Sequence, residues 1–118
     1  MPYRPKFKYT GKMVLDLMGI EGAKEVVNNI PLPDYALLVL QHGAASRSTH
    51  YSTQIEGNIL GLREVEKVVG NKKKRLGQYE QEVRNYWNAL EFLQEQVKQK
   101  TPITHDFVQK VYRIIEVR

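Results

Sequence analysis

The 118-residue sequence contains no cysteine, which excludes a disulfide framework and a thiolate metal site. It also lacks a long apolar run. The longest, Tyr35 to Leu40, is six residues, far short of the roughly 20 needed to span a bilayer. The opening Met1-Pro2-Tyr3-Arg4 leads into a basic and aromatic stretch, so no secretory signal is expected. These absences suit a cytoplasmic protein with no membrane partner. Catalytic patterns are missing as well. His42, His50 and His105 form no HExxH or comparable metal pair, and each is expected at the surface or at a helix end. No Ser/His/Asp grouping can be assembled, and Gly11-Lys12 lacks the upstream glycine of a phosphate-binding P-loop. No segment alternates as a strand would, and no internal repeat is visible.

What remains is a small soluble domain, or part of a larger protein. Hydrophobic residues make up 42% and charged residues 26% of the chain, ordinary values for a globular protein. A chain of this length buries roughly 65% of its unfolded surface, enough for one core. The net charge of +5 is concentrated in an N-terminal arm (Arg4, Lys6, Lys8, Lys12) and in the run Lys72-Lys73-Lys74-Arg75. Such runs can mark a nucleic-acid surface with steeply salt-dependent binding. The Lys72–Arg75 run lacks the interleaved aromatics of such surfaces. A mobile arm and a solvated turn are therefore expected, and nucleic acid is not the expected partner.

The periodicity predicts helices throughout. After an extended arm over residues 1–10, apolar positions from Gly11 to Asn29 recur every three or four residues, with Gly19 and Gly22 allowing two short helices. Ile30-Pro31-Leu32-Pro33 breaks the pattern. A second helix is predicted from Asp34 to about Glu56, presenting Leu37, Leu40, Ala44, Ser48, Tyr51 and Ile55 on one face. Gly57-Asn58 stops it. A short helix from Gly61 to Val69 follows, with Glu64 where a capping-box acid sits. Leu76, Tyr79, Val83, Tyr86, Leu90, Leu93 and Val97 then form one apolar seam on a helix of about 23 residues. Thr104 is the expected N-cap of a last helix carrying Phe107, Val108, Val111, Tyr112, Ile114 and Ile115. The fold class is all-α.

Within this pattern the run Ser52-Thr53-Gln54-Ile55-Glu56-Gly57-Asn58 stands out. It fixes an acid at a helix end with no basic partner beside it. One reading is simply a helix C-terminus. Against it, an acid there opposes the negative end of the helix dipole, at a cost of about 0.3–1 kcal/mol. Such an acid is tolerated when it has a task or a positive partner from elsewhere.

The residues Ser52 to Leu60 with Arg63-Glu64-Val65, then Glu82 to Leu90, then Ile103 to Phe107, resemble in order and spacing the Fic (filamentation-induced-by-cAMP) family of protein adenylyltransferases. The resemblance covers about residue 35 onward. It implies a Fic-like helical bundle, here its N-terminal portion, with residues 1–34 as arm and first helix, 35–75 as the inhibitory-helix region and 76–118 as the start of the core helices. Fic enzymes transfer AMP from ATP, with Mg²⁺, to a hydroxyl side chain of a target protein. The family's inhibitory motif is Ser or Thr, three residues, then Glu and Gly or Asn. The resemblance thus implies that Glu56 is the inhibitory acid, which pairs with a catalytic-loop arginine and blocks productive placement of the ATP γ-phosphate. It implies that Ser52 and Gly57 complete the motif and that Ser52 and Asn58 position its helix.

The catalytic loop, His-x-Phe-x-Asp/Glu-Gly-Asn-Gly-Arg-x-x-Arg, does not occur in these residues: His105-Asp106-Phe107 is followed by Gln109 and Lys110 where acid and glycine are required. A smaller departure is Gly61, where the family carries a hydroxyl. No catalytic residue, metal ligand, ATP or Mg²⁺ is therefore expected on this chain alone. The chain is expected to be the N-terminal part of a Fic protein, inactive by itself, with the remainder of the core as its partner. A free-standing antitoxin-like inhibitor of a separate Fic toxin and a basic helical nucleic-acid-binding module are the alternatives, and homo-oligomerisation is open.

Overall fold

A computed structural model describes residues 3–71 and 75–116. Among the described residues there are five α-helices and no strand: α1 (Gly11–Asn28), α2 (Asp34–Ile55), α3 (Leu62–Gly70), α4 (Gln78–Lys98) and α5 (His105–Ile115). The all-α class predicted from the sequence is what forms. No helix among them is long and apolar enough to cross a membrane. The chain divides into two compact units, residues 1–34 and 35–118. Lys72, Lys73 and Lys74 of the basic run lie outside the described residues, and Arg75 is exposed.

In the first unit, residues 3–10 carry no regular structure and are exposed. The Thr10 hydroxyl accepts from the Met13 amide at 3.2 Å and starts α1. The helix runs unbroken through Gly19 and Gly22, so the division into two short helices does not occur. Each mid-helix glycine costs about 1 kcal/mol relative to alanine. Exposed ion pairs at helical spacing, Lys12–Asp16 and Glu21–Lys24, both 2.8 Å, act the other way. No α1 residue is buried.

In the second unit, α4 packs against both α3 and α5. Val65 and Val68 of α3 meet Val83 of α4, with Leu60 and Val69 against them. Burying a valine fully contributes roughly 1.5–3 kcal/mol. On the other flank the rings of Phe92 and Phe107 stack with centroids 6.0 Å apart. The predicted α4 seam is followed at its centre, where Val83 is buried and Tyr86, Leu90 and Leu93 are half-buried, but Val97 is exposed. On α5, Phe107, Val111, Ile114 and Ile115 are half-buried while Val108 and Tyr112 face out.

The helix starts follow local chemistry. The Thr104 hydroxyl accepts from the Phe107 amide at 3.2 Å. Gly61 and Gly77 have no side chain to offer, and the glutamate three residues on does half the work of a capping box. Glu64 accepts from the Gly61 amide at 2.8 Å and Glu80 from the Gly77 amide at 3.1 Å.

The face that α2 buries differs from the predicted one. Ser46, Thr49 and Thr53 are buried, whereas Leu37, Leu40, Tyr51 and Ile55 are exposed. For Thr49 and Thr53 the physical reason is that the hydroxyls are satisfied inside the helix, whereas Ser46 Oγ is enclosed without a hydrogen-bond partner among the described residues. Thr49 Oγ1 donates to the Ala45 carbonyl at 2.9 Å and Thr53 Oγ1 to the Thr49 carbonyl at 2.8 Å. A bonded hydroxyl can be buried at little cost. Across from this small-residue helix, α4 offers large side chains. The Trp87 ring lies 5.4 Å from the His42 ring, centroid to centroid. His50, expected at the surface or at a helix end, is half-buried, with Nδ1 enclosed and without a hydrogen-bond partner among the described residues.

Candidate functional site

The residues singled out in the sequence converge at the C-terminal end of α2. Helix α2 ends in a Schellman turn. Gly57 sits at φ 95°, a conformation that glycine adopts without a Cβ clash. Its amide donates to the Gln54 carbonyl at 3.0 Å, and the Asn58 amide donates to the Thr53 carbonyl at 3.0 Å. Apolar contact often accompanies this motif. Here the two residues joined by the longer bond, Thr53 and Asn58, are both polar and both buried.

Asn58 uses every face of its amide. Its Nδ2 donates to the Tyr79 carbonyl and to Glu82 Oε2, each at 2.9 Å, and its Oδ1 accepts from the Leu60 amide at 3.1 Å. It therefore joins the turn to the first part of α4 and directs the chain toward α3. One helical turn before Glu56, the Tyr86 hydroxyl donates to Ser52 Oγ at 3.0 Å. The contacts His42–Trp87, Ser52–Tyr86 and Asn58–Tyr79 run in opposite order along α2 and α4.

Glu56 lies between these two anchored residues and is exposed. Its backbone amide donates to the Thr53 carbonyl at 3.1 Å. Its carboxylate makes no hydrogen bond or ion pair with a described residue. It lines an open cavity of about 660 Å³ together with Thr53, Glu82, Asn85, Tyr86 and Glu116. Among the described lining residues there are three carboxylates, Glu56, Glu82 and Glu116, and no lysine or arginine. Such a wall favours a cationic group, and a guanidinium satisfies two carboxylate oxygens at once. The same wall opposes a triphosphate. No cluster of three metal-ligating side chains occurs among the described residues.

Asn85 sets another part of this cavity. It is buried, donates from Nδ2 to the Ile115 carbonyl at 3.0 Å and accepts from Gln81 Nε2 at 2.7 Å, so it ties α4 to the last turn of α5. Sequence reasoning placed Tyr86 on the apolar seam and Glu82 to Leu90 in the family resemblance, but gave Glu82, Asn85 and Tyr86 no part in the site. Asn85 carried little signal in the sequence, because it lies about 100° around the helix from Tyr86 and so off the apolar seam.

Comparison with protein-family models, with curated proteins and with solved structures gives no match.

Proposed function

We propose that this chain is the inhibitory region of a Fic-type adenylyltransferase, with Glu56 as the residue that restrains AMP transfer. The observation that carries the reading is the state of Glu56. It is a carboxylate at a glycine-stopped helix end, without a partner among the described residues, on the wall of an open acidic cavity. An arginine in that cavity pairs with Glu56 as a bidentate partner within the field of Glu82 and Glu116. An arginine so held is withdrawn from phosphate binding. Once such a pair is shielded from water, removing one member costs about 3–5 kcal/mol. Fic-family arginines bind the phosphates of ATP, so occupation by Glu56 displaces the γ-phosphate from the in-line placement that transfer needs. ATP and Mg²⁺ belong, on this reading, to residues outside this chain.

The test is an AMP-transfer assay. A Fic catalytic core whose own inhibitory glutamate is disabled is incubated with this chain, and with its Glu56→Gly variant. Wild type suppresses labelling of the target and the variant does not. Equal suppression by both overturns the reading.

A further inference from the structure

We infer that α4 sets the position of Glu56, and that Tyr86 and Glu82, both outside the Ser52–Asn58 run, are its positioning residues. The inference rests on the reading of Glu56 as the inhibitory carboxylate. Among the described residues Glu56 has no side-chain bond partner, so its placement is set by the backbone that carries it. That backbone is held to α4 on both sides. Before Glu56, Ser52 Oγ accepts the Tyr86 hydroxyl at 3.0 Å. After Glu56, the Asn58 amide is held by the Tyr79 carbonyl and by Glu82, each at 2.9 Å. Ser52 and Glu56 are four residues apart and so share one face of the helix. Fixing Ser52 therefore fixes the rotation of that face about the helix axis. Fixing Asn58 sets where the helix stops along its axis.

Tyr86 and Glu82 also line the cavity into which Glu56 opens. The residues that position the acid thus form part of the site that receives its partner. Whatever enters the cavity touches the clamp, and whatever shifts α4 relative to α2 turns Glu56.

The clamp is tested on the chain alone and in the inhibition assay. Tyr86→Phe removes one hydroxyl and keeps the ring. In hydrogen exchange on the isolated chain, the amides of Glu56, Gly57 and Asn58 exchange about three- to tenfold faster in Tyr86→Phe, the range expected for loss of one neutral hydrogen bond. Core amides at Val65 and Val83 speed up by no more than the loss of global stability. Unchanged exchange at residues 56–58 overturns the clamp, whatever the assay shows.

In the assay, Tyr86→Phe and Ser52→Ala each weaken inhibition about three- to tenfold, and the double variant weakens it no further, because both remove the same bond. Ser52→Thr, which keeps the hydroxyl, retains inhibition. If Glu56→Gln relieves inhibition and Tyr86→Phe does not, positioning by Tyr86 is overturned and the inhibitory reading stands. If Glu56→Gln has no effect, the inhibitory reading fails, and hydrogen exchange still decides the clamp.

Discussion

The Asn58 side-chain amide donates to the Glu82 carboxylate across 2.9 Å, joining residues 24 positions apart in the chain. This bond and its companions make the end of α2 a polar junction. Asn58 is buried, and its partners include the Tyr79 carbonyl and the Leu60 amide. Asn58→Ala leaves those groups unsatisfied and is expected to lower stability by about 2–3 kcal/mol. Asn58→Asp keeps the acceptor for Leu60 but sets a second carboxylate against Glu82, so it does not rescue. Adding Glu82→Gln to Asn58→Asp restores part of the loss. Urea denaturation of the three variants checks the order.

Gly57 has the positive φ that closes the Schellman turn. Nothing lies within 4 Å of a Cβ built there, so the cost of a side chain is conformational and not a clash with neighbours. Gly57→Ala is expected to lower stability by about 1 kcal/mol. For a domain of this size that is a fall in Tm of roughly 4–8 °C. A thermal melt followed by circular dichroism reads it directly.

Lys100 is the mirror case. It holds φ 54°, the left-handed region, at the end of α4, where its amide donates to the Val97 carbonyl and the Thr101 amide to the Gln96 carbonyl, both at 3.1 Å. This is the glycine position of the same turn, filled by a lysine. Lys100→Gly is expected to raise stability by about 1 kcal/mol, where the same change on a regular helix would lower it. The melting temperature again decides, and its direction is opposite to that of Gly57→Ala.

Arg84 donates from its guanidinium to the Val68 and Asn71 carbonyls at the C-terminal end of α3. A cation there meets exposed carbonyls and the negative end of the helix dipole. Arg84→Met is expected to cost about 2–3 kcal/mol. Both carbonyls accept from the single nitrogen Nη2, and an ammonium also carries several donors, so Arg84→Lys recovers part of the loss. Chemical denaturation of both variants gives the comparison.

The sequence made the helices legible wherever their ends are marked by local chemistry. Thr104, Gly57-Asn58 and Glu64 announce caps that form, because the partner of each lies within a turn. The apolar spacing of α4 is likewise readable at its centre. The buried face of α2 was not, because hydropathy counts Ser46, Thr49 and Thr53 as polar while the two threonine hydroxyls are already bonded to their own helix. At the candidate site, Glu56 was visible as an acid at a stop signal. The roles of Tyr86 and Glu82 were not, because their bonds to Ser52 and Asn58 join residues 34 and 24 positions apart in the chain.

The two ways in which this unit is held together carry different mutational spectra. Val65, Val68 and Val83 meet by shape and hydrophobicity, so their substitutions grade smoothly with volume, and exchange among aliphatic residues is tolerated. Ser52, Asn58 and Tyr86 meet by donor and acceptor at fixed angles, and a partner is either present or absent. In a library covering every position, the valines should accept several residue types with graded loss. The end of α2 should accept few, chiefly those that keep the donor or acceptor.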